Sequence, residues 1–298
     1  MAEDLQGRFG IPEVVTFNQG EGGLSRVQIT SAAAEAEIYL HGAHVTRWRP
    51  AGGKQVLFMS KSSMFQPAKP IRGGVPLIFP WFGPRQGHPE SSAHGFARVH
   101  EWDVTEVKKQ SDGAIQLTLA FSSSDATRPL WPGEFTLRYI VSVGKTLELT
   151  LEVKNTGEAA MQFEEALHTY FSVADVRQAS VTGLGGVTYI DKVDQFARKK
   201  QDDQPIKITS ETDRVYLNTQ SACTITDSML GRRITIEKEG SNATVVWNPW
   251  IAKAKAMPDF GDDEWTEMIC VETCNCADNS VTVDPGAVHR MKAAIRIA

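Results

Sequence analysis

The stretch Phe135-Thr-Leu-Arg-Tyr-Ile-Val-Ser-Val143, followed by Thr146-Leu-Glu-Leu-Thr-Leu-Glu-Val-Lys-Asn155, decides the fold of this chain. Apolar and polar residues alternate along both runs. Because successive side chains of a β-strand point to opposite faces of the sheet, this alternation predicts two half-buried strands. Each strand should place one face on a hydrophobic core and the other toward solvent.

Similar runs recur along the chain between Gly, Asn and Asp residues, and they predict an all-β fold, an antiparallel sandwich or barrel. Long helical periodicity is missing, and we expect one short helix within residues 248–258. No repeat or Gly/Ser linker divides the chain, so residues 1–298 are predicted to form a single domain. The other predicted strands are Arg26–Thr30, Ala36–Leu40, Trp102–Val107, Ile115–Phe121, Gln162–Phe171, Arg214–Asn218, Ala222–Thr226, Arg232–Glu237, Thr244–Asn248, Met268–Thr273 and Val288–Ile297.

Composition and net charge limit the classes of molecule that the protein is expected to bind. The net charge of −5 argues against nucleic acid and anionic membranes, which attract basic proteins. It leaves room for a phosphorylated small molecule, because one or two arginines suffice to hold a phosphate. The N-terminus lacks a secretory signal, and no apolar run approaches the ~20 residues that span a bilayer. We therefore expect a cytoplasmic protein.

The four cysteines are too few for a disulfide scaffold at this length. Three of them form a Cys-x3-Cys-x-Cys pattern from Cys270 to Cys276, which matches no common zinc motif. We expect neither a metal nor an organic cofactor, and we expect a monomer. His41 and His44 have the spacing of half a metal site at most, and we interpret them as structural.

A proline-rich segment at residues 67–89 contains Arg72-Gly-Gly, and His94-Gly-Phe-Ala-Arg98 follows it. Proline removes backbone donors and glycine permits positive φ, so the segment is predicted to be a shaped loop rather than a central strand. Such a loop is either functional or a rigid surface connection. Arg72 and Arg98 flank it and could converge on an anion, since guanidinium geometry suits phosphate; the alternative is two solvated surface arginines.

Two strand residues are candidates for acid–base chemistry. If residues 163–173 form one strand, His168 and Tyr170 share a face opposite a mostly apolar one. Glu272 likewise lies among small neighbours, where partial burial would raise its pKa and make it a stronger base. Histidine is suited to proton transfer near neutral pH. The alternatives are an incidental strand histidine and an exposed strand glutamate.

Six segments together resemble the aldose 1-epimerase (mutarotase) superfamily, and within it the hexose-6-phosphate mutarotase branch. Each would be weak alone, but they occur in the family's order over residues 72 to 272. They are Arg72-Gly-Gly-Val-Pro-Leu-Ile-Phe-Pro-Trp-Phe-Gly-Pro, His94-Gly-Phe-Ala-Arg98, Leu167-His168-Thr-Tyr-Phe, Glu211-Thr-Asp213-Arg-Val-Tyr, Val246-Trp-Asn-Pro-Trp and Ile269-Cys-Val-Glu272.

The resemblance implies a β-supersandwich, of the galactose mutarotase-like kind, with its active site on a concave sheet face. It implies that His168 is the general acid and Glu272 the general base. It also implies that Asp213 contacts a sugar hydroxyl and that His94 lines the pocket. Arg72 and Arg98 fall where this branch holds its phosphosugar.

One position departs from the family pattern, because the residue before His94 is often glutamine in this branch and here it is Ala93. The expected reaction is interconversion of the α and β anomers of a hexose 6-phosphate, with glucose 6-phosphate as the leading candidate. Two alternatives stay open at this point: a mutarotase for free hexoses, and a non-catalytic carbohydrate-binding sandwich.

Overall fold

Strands make up most of the regular structure in residues 2–298, which are the residues that the computed structural model describes. The paired strands run antiparallel, which confirms the predicted all-β antiparallel fold. The helices are α1 (Ala2–Phe9) and α2 (Trp250–Ala256), and 3₁₀ turns cover Glu21–Gly23, Ala97–Val99, Glu264–Glu267 and Ala277–Asn279. The strands are β1 (Val15–Gln19), β2 (Ser25–Thr30), β3 (Ala34–Tyr39), β4 (His44–Pro50), β5 (Leu77–Ile78), β6 (Asp103–Lys109), β7 (Ile115–Ser122), β8 (Phe135–Val143), β9 (Leu147–Asn155), β10 (Met161–Phe163), β11 (Glu165–Leu167), β12 (Tyr170–Ser172), β13 (Ala179–Thr182), β14 (Thr188–Asp191), β15 (Ala197–Lys200), β16 (Thr212–Tyr216), β17 (Cys223–Asp227), β18 (Arg232–Glu239), β19 (Ala243–Asn248), β20 (Met268–Asn275), β21 (Val281–Val283) and β22 (Val288–Ile297).

Two large sheets form the body of the molecule. The front sheet has the order β15-β14-β16-β19-β20-β11-β5, and β12 also pairs with β20. The back sheet has the order β13-β17-β18-β22-β9-β8-β7-β6. Strands β1 to β4 make a separate four-stranded sheet, and β10 pairs only with β21.

The stretch that predicted the fold lies at the centre of the back sheet as the β8–β9 hairpin. Its alternate apolar side chains, including Phe135 and Leu149, are fully buried. On the opposite face, Arg138 lies directly across from Glu152 and forms a partly exposed ion pair of 2.7 Å with it. Phe79, which follows β5 in the front sheet, contacts Phe135 with ring centroids 5.0 Å apart. The core therefore fills the space between the two large sheets.

The proline-rich segment behaves as the shaped loop that was predicted, and its one strand, β5, is a two-residue strand at the edge of the front sheet. Two histidine side chains contact backbone carbonyl groups of the loop. The Nε2 atom of His41 lies 2.7 Å from the carbonyl oxygen of Lys69, and that of His44 lies 2.8 Å from the carbonyl oxygen of Gly73. Both histidines therefore position the chain next to Arg72, in agreement with their structural interpretation.

Gly74 shows why the loop needs glycine. Its φ is +59°, and a Cβ there would lie 2.3 Å from the carbonyl oxygen of Val45. A contact that short, in a left-handed backbone conformation, excludes other residues unless the loop moves. The close approach of this backbone to β4 fixes where the loop enters the front sheet.

The prediction of one continuous strand over Gln162–Phe171 was wrong. The segment forms three short strands, β10, β11 and β12, which are interrupted at Glu164 and at His168 and Thr169. The His168 N–H donates to the carbonyl of Pro76, while the Thr169 N–H donates to that of Leu167. Residue alternation does not reveal such a break, because it depends on backbone partners from the proline-rich loop.

The predicted helix within 248–258 is confirmed as α2, but α1 was not predicted. Of the residues in α1, only Leu5 is buried, so the sequence carries little helical periodicity there. Among the strands not predicted, β15 (Ala-Arg-Lys-Lys) has no buried residue at all. Within residues 2–298, neither helix has the length and apolar content needed to cross a bilayer.

Candidate active site

A cavity of about 310 Å³ opens on the front sheet, beside the proline-rich loop. Strands β16, β19 and β20 form its floor, while the loop and the segment around Ala97–Val99 form one wall. The structure brings all six residues selected from the sequence to this one cavity: Arg72, His94, Arg98, His168, Asp213 and Glu272.

His168 lies in the two-residue interruption between β11 and β12, with its ring buried among aromatic side chains. It stacks on Tyr170 with ring centroids 4.9 Å apart and meets the edge of Trp247 at 5.9 Å. These contacts fix the plane of the imidazole. Its Nδ1 atom has no hydrogen-bond partner.

Glu272 lies on β20, directly opposite Val245 of β19, and is 1% exposed. Its Oε1 atom lies 3.3 Å from Nε2 of His168. This contact does not have hydrogen-bond geometry, and within residues 2–298 neither carboxylate oxygen has a hydrogen-bond partner. An unpaired buried carboxyl group costs about 1–3 kcal/mol, so a polar ligand that bonds to Glu272 would be stabilised there.

Burial sets the protonation of this pair. It raises the pKa of Glu272 well above the ordinary range, and nearby Cys274 and Asp213 raise it further. It lowers the pKa of His168 well below the ordinary range, and the charges of Arg98 and Arg72 add to this effect. The cavity without ligand thus favours a protonated Glu272 beside a neutral His168, with one proton available to the two groups.

Arg98 brings a buried positive charge that has no carboxylate partner among the described residues. Its guanidinium donates one hydrogen bond, to the carbonyl oxygen of Ala93 at 2.7 Å, and its Nε–H has no acceptor. Burial, together with the charge of Arg72, lowers the pKa of Arg98 to about 10. Buried charges are normally paired, so this one indicates a place for an anion.

Arg72 is held more firmly. Its guanidinium donates to the hydroxyl of Tyr170 at 3.0 Å and forms an ion pair of 3.1 Å with Asp259. Its Nε–H, like that of Arg98, has no acceptor. The two arginines of the predicted anion site therefore line the same cavity, each with an unused donor.

His94 and Asp213 complete the set. His94 adopts a positive φ of 66°, and its Nδ1 accepts the backbone N–H of Gly83 at 3.3 Å. Burial lowers the pKa of His94, so it is a neutral ring, in edge contact with His168 at 5.6 Å. Asp213, on β16, forms an ion pair of 3.1 Å with Lys192.

Sequence reasoning missed several residues of this cavity. Lys192, Lys253 and Trp247 line it, and Asp259 orients Arg72. Trp247 lies inside the segment Val246-Trp-Asn-Pro-Trp, so that motif was a usable signal. Lys192 and Asp259 lie in turns whose local sequence carries no pattern for such a role. Cys270, two residues before Glu272 on the same strand, is fully buried beside the pair.

The chemistry of the cavity is proton transfer next to an anion site. A carboxyl and an imidazole in contact can deliver a proton to one atom and remove a proton from another bonded to the same carbon. The donor-rich wall suits a ligand that carries both hydroxyls and a negative charge.

Comparison with known proteins agrees with this geometry, because the family profile described as aldose 1-epimerase matches residues 25–296. The chain belongs to the aldose 1-epimerase family. It is therefore an isomerase of this family, as the six sequence segments predicted.

Two curated relatives cover most of this epimerase. A protein of Escherichia coli strain K12 named "Putative glucose-6-phosphate 1-epimerase" is 37% identical over 277 residues, which is 92% of this chain and 91% of the relative. A protein of the same name from Cenchrus ciliaris is 36% identical over 284 residues, covering 92% of this chain and 84% of the relative.

Solved structures show the same architecture. The crystal structure titled as a putative mutarotase (YeaD) from Salmonella typhimurium superposes with a TM-score of 0.89 at 33% identity, over 97% of this chain and 95% of that one. Galactose 1-epimerase from Lactobacillus acidophilus, at 13% identity, superposes with a TM-score of 0.73 over 95% of this chain and 98% of that one. The galactose mutarotase-like β-supersandwich expected from the sequence is therefore confirmed.

Proposed function

We propose that this epimerase interconverts the α and β anomers of a hexose 6-phosphate, with glucose 6-phosphate as its leading substrate. One observation carries the choice of a phosphorylated sugar. Arg98 is a buried cation for which residues 2–298 supply no carboxylate partner, and it lies with Arg72 in the cavity that contains the acid–base pair. The names of the curated relatives point to the same substrate.

In this proposal Glu272 and His168 act on the two oxygens bonded to the anomeric carbon. Glu272 removes the proton of the anomeric hydroxyl while His168 protonates the ring oxygen, and the bond between C1 and the ring oxygen breaks. Rotation about the C1–C2 bond turns the aldehyde, and the reverse proton transfers close the ring on the other face. Because both oxygens belong to one carbon, acid and base must be close together, and 3.3 Å separates them.

We propose that binding of the substrate drives a proton from Glu272 to His168, so that both groups become charged. Arg98 and Arg72 contribute to the low pKa of His168. A phosphate dianion bound to both arginines cancels much of that positive field and raises the pKa of His168. The proton can then move from Glu272 to His168, which leaves the carboxylate as base and the imidazolium as acid.

Two further residues are proposed to position the sugar. Asp213, held by Lys192 at 3.1 Å, presents carboxylate oxygens to ring hydroxyls. His94, neutral and with Nδ1 engaged by Gly83, has Nε2–H as its free donor. Neither role requires a metal or nucleotide.

Anomer exchange by NMR tests the reaction, with glucose 6-phosphate and free glucose as parallel substrates. Glu272→Gln keeps the shape of the side chain but removes the base, so we expect a loss of ~10²–10⁴-fold, the usual contribution of one acid or base. Arg138→Ala, on the exposed face of the back sheet, is the control and should keep wild-type rates. Equal wild-type rates on both sugars would favour a mutarotase for free hexoses. Inactivity on every sugar would favour a non-catalytic carbohydrate-binding sandwich.

We also propose that the protein is a cytoplasmic monomer of one domain. The four cysteines are free and buried, as is common in a reducing compartment. One cluster of buried hydrophobic residues extends from Leu5 to Ile295, which supports a single domain. Light scattering on the purified protein should give a mass near 32.8 kDa, and twice that value would reject the monomer.

A further inference from the structure

The thiol of Cys270 lies beside the acid–base pair and has no part in the proton transfers described above. Residues two apart on a strand point to the same side, so Cys270 and Glu272 of β20 share a face. His168 approaches them from the interruption between β11 and β12, two strands that both pair with β20. One ligand atom from each of the three side chains, nitrogen, sulfur and oxygen, lies within 4.8 Å of the other two.

A second observation marks this cluster as a ligand site. Among residues 2–298, neither carboxylate oxygen of Glu272 has a hydrogen-bond partner, and the Nε2 atom of His168 lies 3.3 Å from Oε1 of Glu272. Both groups are almost completely enclosed, at 1% and 7% exposure. Buried polar groups are normally hydrogen-bonded, so an ion that accepts a lone pair of Glu272 would satisfy a group that is unpaired within residues 2–298.

We propose that His168, Cys270 and Glu272 bind a single thiophilic divalent cation, Zn²⁺ foremost, and that the bound ion inhibits the enzyme. The fourth position of a tetrahedral ion would face the cavity and take a water. An ion there occupies the lone pairs of both Glu272 and His168. This inhibitory part rests on the acid–base roles given above, whereas binding of the ion does not.

The three ligand atoms determine which metal ions suit the site. Mixed nitrogen, sulfur and oxygen ligands suit Zn²⁺ and Co²⁺, whereas Mg²⁺ and Ca²⁺ prefer oxygen alone. Zinc bonds of about 2.0–2.3 Å require the ligand atoms to draw in from their present spacing by roughly 1 Å, which side-chain rotation can supply.

Charge balance favours the same ion. A thiolate and a carboxylate neutralise the divalent cation, and a neutral imidazole completes the set, so the buried complex carries no net charge. Cysteine and glutamate bind metal ions in their deprotonated forms, so an ion bound here replaces a proton on each side chain.

Cobalt absorption tests the site without reference to the reaction. Titration of the metal-free protein with Co²⁺ should give a near-ultraviolet thiolate-to-cobalt band that saturates at one ion per chain, and Zn²⁺ should abolish it. The chain has four cysteines. The band should persist in Cys223→Ser, Cys274→Ser and Cys276→Ser, and disappear in Cys270→Ser. Absence of the band in wild type, or its persistence in Cys270→Ser, overturns the proposal.

The persistence of the band in the three control variants identifies Cys270 by elimination even where Cys270→Ser fails to fold. Inhibition is measured separately as anomer exchange against Zn²⁺ concentration. We expect chelator to restore activity and Cys270→Ser to require at least ~10-fold more zinc for half inhibition, the equivalent of about 1.4 kcal/mol. An identical zinc dependence in both proteins refutes the inhibitory site, while inactivity without zinc would instead count against the proposed function.

Discussion

Replacing Arg98 with methionine should stabilise the protein while damaging its action on phosphorylated sugar. The guanidinium is buried, and among residues 2–298 it has no carboxylate partner and its Nε–H has no acceptor. Methionine fills a similar volume and carries no charge. Stability and function should therefore move in opposite directions, which a purely structural arginine would not allow.

The size of the stability effect follows from the pKa of Arg98, which burial and Arg72 lower from 12.5 to about 10. At 1.36 kcal/mol per pKa unit, the folded state disfavours the charged form by about 3 kcal/mol. Removing the buried charge is therefore stabilising, but loss of the hydrogen bond to Ala93 offsets about 1 kcal/mol of this stabilisation. We expect a net stabilisation of about 1–2 kcal/mol for Arg98→Met at neutral pH, where Arg98 is charged in both the folded and the unfolded chain.

The functional effect is a loss of a charge-assisted hydrogen bond to phosphate, worth about 1.5–3 kcal/mol. This corresponds to a fall of about 10- to 100-fold in kcat/KM for glucose 6-phosphate, with turnover of free glucose changed less than about threefold. Urea denaturation and NMR anomer exchange measure the two quantities on the same preparations. A destabilised variant with equal losses on both sugars would refute the reasoning, because it would make Arg98 a structural residue.

Three other predictions concern the surroundings of the site. Tyr170→Phe removes the acceptor that holds Arg72 at 3.0 Å, so kcat/KM for glucose 6-phosphate should fall about 3- to 10-fold with little change for glucose; no difference between the sugars would argue against it. Gly74→Ala should destabilise the protein by about 1–3 kcal/mol more than Gly52→Ala in urea denaturation, because both have positive φ but only Gly74 lacks space for a Cβ; equal effects would contradict this. The pKa of buried His44 is lowered to about 3, so below the unfolded-state value of 6.5 the unfolded chain binds a proton that the native state does not. Stability should therefore fall as pH decreases from 7 to 5, by up to about 1.4 kcal/mol per pH unit from this residue, and His44→Gln should flatten the slope; an unchanged slope would exclude His44 as its source.

Parts of the candidate site were readable from local pattern. Strand alternation predicted which side chains share a face with Glu272, because successive residues of one extended strand point to opposite faces. In the structure that face of β20 meets the cavity. The motif around Arg72-Gly-Gly was readable because only glycine tolerates the backbone at Gly74. The break at His168 was not readable, since it depends on a hydrogen bond to Pro76, which is 92 residues away in sequence.

The sequence by itself determined the all-β class, the two strands within residues 135–155 and, through six ordered motifs, the family. Those features depend on alternation and short-range residue identity. Only the tertiary structure decided that Arg98 lacks a counter-charge, that Asp259 restrains Arg72, and that Cys270 joins His168 and Glu272. Burial and pairing are properties of residues distant in sequence, and they set the charge state on which the proposed chemistry depends.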